Sequence, residues 1–111
     1  MEHVMHLNKK YFDLVANGKK GIEIRLLDDK RSYISINDII TFINQGSKKS
    51  ITVKVNDIKF YTSFKELFFD STKDELQWID KPVELMVNEM HKIYPPSLEE
   101  KYGVIKISFM K

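Results

Sequence analysis

An octapeptide near the amino terminus decides the fold, and it reads Gly18-Lys19-Lys20-Gly21-Ile22-Glu23-Ile24-Arg25. The Asn17-Gly18 pair at its start is typical of a helix end, because glycine adopts left-handed backbone angles without strain. Side chains alternate along a strand, so Glu23 and Arg25 are expected on one face and the isoleucines on the other. The octapeptide therefore predicts a helix end and then a strand with one apolar face and one solvated, charged face.

The overall composition is that of an ordinary soluble globular protein. The chain has 111 residues, of which 42% are hydrophobic and 31% are charged, so we expect a single domain, 1–111, with one core. The formal net charge is +2. This mild excess tolerates a polyanionic partner, but it excludes binding to nucleic acid through charge alone.

The residue types and segments that the chain lacks argue against several kinds of site and several cellular locations. It has no cysteine, which excludes disulfides and thiolate metal sites. His3, His6 and His91 do not have the spacing of a metal centre, so we expect no metal and no cofactor. No apolar run approaches the roughly 18 residues of a membrane span, and the amino terminus lacks the apolar segment of a signal peptide. We therefore expect a cytoplasmic protein with no membrane partner.

The residues on either side of the octapeptide predict further strands and helices. Asn8 favours the N-cap of a helix over Lys9–Ala16, whose end is the Asn17-Gly18 pair. Apolar runs and alternation predict strands over residues 4–7, 21–27, 39–43, 51–61 and from 103 onward. Helix starts are indicated by Ser63 with Glu66, Thr72 with Glu75, Pro82, and Ser97 with Glu100.

Two of the predicted strands carry details that shape the fold. The apolar positions of the 51–61 strand change phase at Asn56-Asp57, which predicts a bulge or a sharp bend. In the last strand Ile105 and Ile107 are expected to face inward, whereas Lys106 is expected to face solvent. About five or six strands with flanking helices indicate an α+β domain built on a small curved sheet or barrel.

Several short motifs, taken in order, resemble those of ASCH domains. The run Lys20-x-x-Glu23-x-Arg25 is similar to the family signature. Three further matches follow it in the expected order: Asn37-Asp38 in place of a Gly-Asp turn, the segment 61–67, and Tyr102-Gly103-Val104. Asn tolerates the left-handed conformation that glycine would supply in that turn. By this resemblance, which covers most of the chain, the protein is identified as a member of the ASCH family.

The resemblance implies a fold and a range of activities. ASCH domains belong to the PUA-like β-barrel superfamily, and they are generally regarded as modules that bind or process RNA. One subgroup hydrolyses N4-acetylcytidine with a Lys, a Thr and a distant Glu, and ribonuclease activity has been ascribed to others. Lys20 matches the Lys of that subgroup, Glu23 stands where the subgroup has Thr, and Glu75 is near the distant Glu in sequence order.

The chemistry of the signature residues is consistent with a ligand site. Glu23 can accept a hydrogen bond from the amino group of cytosine, and Arg25 can bind phosphate or hold Glu23 by a charge-assisted pair. Lys20 can neutralise phosphate, or act as a base or nucleophile if it loses its proton. The alternative interpretation is structural: the lysines complement a helix end, and Glu23 with Arg25 forms the solvated face of a strand.

Other basic and aromatic residues could extend a nucleic-acid surface beyond the signature. The basic candidates are Lys19, Lys30 and Arg31. The aromatic candidates for base stacking are Tyr33, Tyr61 and Trp78, for each of which packing in the core is the alternative explanation.

Three functions remain open at the level of sequence. The first is an RNA- or nucleotide-binding module, with a cleft formed by the signature. The second is an enzyme acting on RNA or a modified nucleoside, with Lys20 and Glu23 as the catalytic pair. The third is a protein-interaction domain, whose oligomeric state the sequence does not reveal.

Overall fold

A sheet of five strands is the framework of the protein, and the computed structural model describes residues 1–111. The strands are β1 (Glu2–Leu7), β2 (Ile22–Leu26), β3 (Ile39–Asn44), β4 (Ser50–Tyr61) and β5 (Val104–Met110). The helices are α1 (Lys9–Ala16), α2 (Phe64–Asp70), α3 (Val83–Ile93) and α4 (Pro96–Tyr102). None of these helices is long and apolar enough to cross a membrane.

The sheet curls into a half-barrel, as the α+β prediction requires. The strand order is β1-β3-β4-β5-β2, with β1 parallel to β3 and the other pairs antiparallel. The register of β4 against β5 shifts between Val55 and Asp57, which confirms the predicted bulge. A bulge increases local twist and bends the strand, so it helps this long strand to curl the sheet. The edges of the half-barrel are β1 and β2, and the Arg25 guanidinium donates a hydrogen bond from β2 to the His6 carbonyl of β1 at 3.2 Å.

Local signals position most of the elements as predicted. The Asn8 side chain accepts from the Tyr11 amide at 3.0 Å and caps α1. After α1 the backbone of Gly18 is left-handed, with φ of 82°. Ser63 caps α2 through the Glu66 amide at 3.1 Å. Asn37 has φ of 76°, so it does adopt the conformation that glycine would supply.

Two local predictions in the second half of the chain are wrong. The Thr72–Glu75 capping box forms in both directions, at 2.9 and 3.1 Å, but irregular turns follow it instead of an α-helix. Ser97 was expected to cap a short helix, yet it lies inside α4, which begins at Pro96 without a side-chain cap. Proline at the first position supplies the helical φ angle and lacks the amide that a cap would satisfy.

Two apolar clusters lie on opposite faces of β2. Ile22, Ile24 and Leu26 pack with α2 and α3 in one cluster. Glu23 and Arg25 point the other way, opposite Ile107 and Ile105 of β5, which belong to the cluster that includes α1. The predicted alternation is therefore confirmed, but the prediction of a solvated charged face is wrong. Curling of the sheet brings β1 and α1 over this face and buries it.

The prediction that Lys106 faces solvent is also wrong. Lys106 does alternate with Ile105 and Ile107, but only 1% of its surface is exposed. The end of α2 and the segment 71–82 cover that face of β5. Hydrogen bonds from Lys106 reach Ser71 at 3.1 Å and Glu75 at 3.3 Å, so the covering segment also supplies its polar partners.

Candidate functional site

Lys20, Glu23 and Arg25 form one hydrogen-bonded cluster. Lys20 Nζ donates to Glu23 Oε1 at 2.6 Å. Arg25 donates to Glu23 Oε2 from both Nε, at 2.9 Å, and Nη2, at 2.7 Å. One carboxylate thus holds two cations, each on a different oxygen. These hydrogen bonds are charge-assisted, and both Arg25 bonds reach the same oxygen, Oε2, while Oε1 accepts from Lys20.

The backbone before β2 places Lys20 inside the protein. The left-handed turn at Gly18 reverses the chain, and the amides of Lys19 and Lys20 both donate to the Leu14 carbonyl at 3.0 Å. The Lys20 ammonium then donates to the Ile22 carbonyl at 2.6 Å as well as to Glu23. Only 3% of Lys20 and 5% of Glu23 are exposed, whereas Lys19 lies at the surface.

The cations determine the charge state of the cluster. Burial by itself would raise the pKa of Glu23, but the Lys20 and Arg25 cations outweigh burial and hold that pKa below its usual value. Burial likewise opposes the charge of Arg25, yet Glu23 and, more weakly, Tyr94 raise the pKa of Arg25. The cluster therefore holds two positive groups and one negative group, with an excess of one positive charge.

The cluster lies against a cleft of about 280 Å³ between the two edges of the half-barrel. Its aromatic walls are Tyr11 from α1, Trp78 from the turn segment (residues 71–82) and Tyr94 from the end of α3. Lys20 Nζ is 5.0 Å from the centre of the Trp78 ring, within the range of a cation–π contact. Further lining residues include His6, Asn8, Gln45, Met86, Met90 and Ile93.

Unused hydrogen-bonding capacity remains within the cluster. Lys20 uses two of its three N–H groups on Ile22 and Glu23. Arg25 donates from Nε and Nη2 to Glu23 and His6, and it also has a weaker side-chain hydrogen bond to Tyr94. Glu23 accepts one bond on Oε1 and two on Oε2, so Oε1 retains one acceptor position. The cluster can therefore offer a donor and an acceptor to a ligand in the cleft.

The structure brings together only part of the predicted site. Lys20, Glu23 and Arg25 line one cleft, whereas Lys19, Lys30 and Arg31 do not line it. Lys30 is exposed, and Arg31 pairs with Asp28 at 3.1 Å in the loop after β2. Contact of those three basic residues with nucleic acid stays a prediction.

The aromatic walls were only partly visible in the sequence. Trp78 was a stacking candidate and lines the cleft, but Tyr33 and Tyr61 do not. Tyr61 instead donates to Asp70 at 2.5 Å. Tyr11 and Tyr94 belong to regular apolar patterns on two helices, and such patterns indicate packing without showing which end of the stripe borders a cavity.

Other polar groups of interest lie away from the cleft. Glu75, the residue near the distant Glu in sequence order, does not line the cleft and pairs with Lys106 at 3.2 Å. No group of three or more histidine or acidic side chains converges in a way that could hold a metal ion. In the cleft itself, two cationic head groups would repel a metal cation.

Comparison with known proteins agrees with the predicted family and fold. The family model for the ASCH domain matches residues 5–111. The crystal structure of hypothetical protein PH0355 is 38% identical, with a TM-score of 0.86 over 98% of this chain and 97% of that one. The solution structure of protein PF0455 from Pyrococcus furiosus is 34% identical, with a TM-score of 0.74 over 98% and 96%.

More distant similarity extends to the fold alone. The ASCH domain from Lactobacillus crispatus JV V101 is 11% identical and has a TM-score of 0.67, with 97% of this chain and 77% of that chain covered. No curated protein matches the sequence. The chain thus shares its architecture with that domain despite a low sequence identity.

Proposed function

The chain belongs to the ASCH domain family, and from that premise we propose that it binds a nucleotide, free or unpaired in an RNA, in the cleft beside Lys20, Glu23 and Arg25. One observation carries the proposal. Buried Lys20 and partly buried Arg25, held by one carboxylate, border the same cleft as three aromatic side chains. A nucleotide combines the two features that such a cleft complements, an anion and a flat aromatic ring.

The charge balance of the cluster supports an anionic ligand. Glu23 offsets only one of its two cationic partners, and one Lys20 N–H remains beyond the bonds to Ile22 and Glu23. A guanidinium binds phosphate oxygens with directional hydrogen bonds, and a lysine adds a point charge. Burial of Lys20 and Glu23 strengthens such interactions relative to a fully solvated site.

The aromatic walls and the size of the cleft support a single nucleotide. Bases stack on aromatic side chains without strict preference for sequence, because every base presents a flat π face. A volume of about 280 Å³ is at the lower end for ligand pockets. It suits one nucleotide and excludes a duplex. In RNA, the nucleotide would be unpaired and turned out of its stack, as in single-strand recognition.

The electrostatics of Glu23 support binding over general-base catalysis. A carboxylate whose pKa is lowered by two cations is a weaker base than an ordinary glutamate. Its role would be to orient Lys20 and Arg25, and its free position on Oε1 could accept from a base amino group. Glu75 pairs with Lys106 and does not line the cleft, which further weakens the resemblance to the amidohydrolase subgroup.

A titration followed by backbone amide shifts tests the proposal. The four ribonucleoside 5′-monophosphates and a single-stranded hexameric RNA would each be added at low salt. We expect shifts around residues 18–31 and at Trp78 and Tyr94. Lys20→Met should weaken binding at least about tenfold, because it removes a charge-assisted hydrogen bond.

The neighbouring lysine provides a matched control. Lys19→Met removes the same charge from the adjacent position, but its side chain is exposed and does not line the cleft. This variant should bind mononucleotides as the wild type does. Absence of any shift near residues 18–31, or equal weakening by the two substitutions, would contradict the proposal.

Incubation with potential substrates tests the enzymatic alternative. Wild type and Lys20→Ala would be compared for hydrolysis of N4-acetylcytidine and for cleavage of single-stranded RNA. Turnover by the wild type that Lys20→Ala abolishes would establish an enzyme that uses this lysine. Equal turnover by both proteins would remove Lys20 from the mechanism, and no turnover would leave a binding module.

A further inference from the structure

The wall of the cleft that carries Trp78 is not part of a helix or a strand. The segment 71–82 connects α2 to α3 through turns. Within it, the Trp78 indole N–H donates to the Glu75 backbone carbonyl at 2.9 Å. The ring also meets Tyr11 edge to face, with 5.9 Å between the ring centres. The placement of this wall therefore depends on what holds Glu75.

Glu75 is held from two sides through its carboxylate. The Thr72 amide donates to Oε1 at 2.9 Å, which closes the capping box. From the sheet, Lys106 Nζ approaches Oε1 at 3.3 Å and Oε2 at 3.2 Å. The same ammonium group donates to Ser71 Oγ at 3.1 Å, at the end of α2. One lysine thus ties both the end of α2 and the following turn to β5.

The position of Lys106 in β5 connects this tie to the charged cluster. Lys106 is paired with Ile24 of β2, the residue between Glu23 and Arg25. The strand pair that carries the cluster on one face therefore carries the anchor of the turn on the other. A shift of the turn relative to this strand pair would move Trp78 relative to Lys20.

We infer that Lys106 and Glu75 are positioning residues for the cleft, which hold Trp78 against Lys20 and so set the width available to an aromatic ring of the ligand. The effect on ligand binding rests on the proposed function, whereas the effect on Trp78 does not. Neither residue touches the ligand. Without the pair, the apolar packing of Leu76 and Ile79 would still hold the turn near the sheet. This apolar packing would not fix the height of the turn above the sheet, because apolar contacts have no preferred direction.

The single tryptophan of the chain makes the inference testable without a ligand. Lys106→Met keeps the length of the side chain and fills the buried space, and Glu75→Gln keeps the capping box while it removes the charge. In both variants we expect the Trp78 indole ¹H–¹⁵N resonance to shift and broaden. The affinity for cytidine 5′-monophosphate should fall by about tenfold, as expected when a binding group is displaced.

A double variant and a stability control separate positioning from general destabilisation. Lys106→Met/Glu75→Gln should bind no worse than the weaker single variant, because both changes break the same link. Val53→Ala removes buried volume from the other apolar cluster. It should lower stability and leave the indole resonance where it is. If Lys106→Met does not fold, Glu75→Gln alone provides the test.

The outcomes are distinct. An indole resonance in Glu75→Gln that coincides with that of the wild type would overturn the inference. So would an affinity loss that Val53→Ala reproduces. If the wild type binds none of the nucleotides, the proposed function fails. In that case the indole resonance alone tests whether Lys106 and Glu75 position Trp78.

Discussion

Two lysines of this protein are almost fully buried, and their surroundings differ. Lys20 and Lys106 are 3% and 1% exposed, and each pairs with a glutamate. Glu23 is shared between two cations and lies beside an aromatic cleft. Glu75 is shared between one cation and a backbone cap, and Lys106 is covered by α2 and the turn.

The comparison shows that burial of a charge does not by itself indicate a ligand site. Buried ion pairs offset a large desolvation penalty and are often neutral for stability. What distinguishes Lys20 is an excess of positive charge in contact with an open volume. Lys106 donates to Ser71 and Glu75 of the segment that covers it and does not line the cleft, so it is suited to anchoring that segment.

The largest difference is expected in stability. Glu23→Gln leaves Lys20 and Arg25 facing each other without their shared carboxylate, and it should lower the free energy of unfolding by about 3 kcal/mol. Glu75→Gln should lower it by about 1 kcal/mol, because the Thr72 bond persists and the Glu75 side chain is 27% exposed. Denaturant unfolding of both variants measures the two losses. Equal losses would mean that the two clusters are equivalent.

The aromatic wall of the cleft should contribute less free energy to ligand binding than Glu23 contributes to stability. Trp78→Leu removes a stacking surface and should weaken nucleotide binding by about tenfold. Tyr33→Leu is the control, because Tyr33 is 70% exposed and does not line the cleft. Calorimetric titration with each mononucleotide gives the affinities. An effect of Tyr33→Leu as large as that of Trp78→Leu would place the stacking surface outside the cleft.

Acid should weaken the Glu23 cluster in a defined direction. The pKa of Glu23 in the folded protein lies below its ordinary value of 4.5. The stability it contributes is therefore complete above that value and is lost as the pH falls through the folded-state pKa. Unfolding measured between pH 7 and pH 3 should show a steeper decline for the wild type than for Glu23→Gln. Parallel curves would mean that Glu23 contributes no such linkage.

The smallest effect is expected from the exposed basic residues. Combined replacement of Lys19 and Lys30 by Gln should leave mononucleotide affinity unchanged. If both lysines neutralise phosphates of the RNA, the salt dependence for the hexamer should decrease by about 0.7 in log–log slope for each lysine replaced. Measurement of affinity at several salt concentrations decides this. An unchanged slope would confine RNA binding to the cleft.

Much of the fold follows from signals that act over a few residues. Asn8 and Ser63 satisfy helix amides within the next turn, and Gly18 ends α1 because it adopts a left-handed conformation. The phase change at Asn56-Asp57 marks the bulge for a similar reason, since alternation is a property of adjacent residues. The family assignment rested on other short motifs and their order, beginning with Lys20-x-x-Glu23-x-Arg25 and ending with Tyr102-Gly103-Val104, and the domain model confirms the family over residues 5–111.

The burial of the charged residues could not be obtained in this way. Alternation along β2 and β5 correctly separates Glu23 from Ile24 and Lys106 from Ile107, but it does not reveal what covers each face. Burial depends on how the curled sheet packs against other elements, namely α1 and β1 on one side and the segment 71–82 on the other. Neither the cation pairing of Lys106 nor the contact between Lys20 and Trp78 has a signal in sequence spacing.

The sequence by itself determined most of the strands and helices, the order of the polar signature and the family, because capping, alternation and turn chemistry operate between neighbours. Only the tertiary structure decided that the signature is buried and borders an aromatic cleft. The physical reason is the curvature of the sheet. It brings β1 to the edge of β2 and carries residues separated by up to 88 positions, such as His6 and Tyr94, into the same cleft.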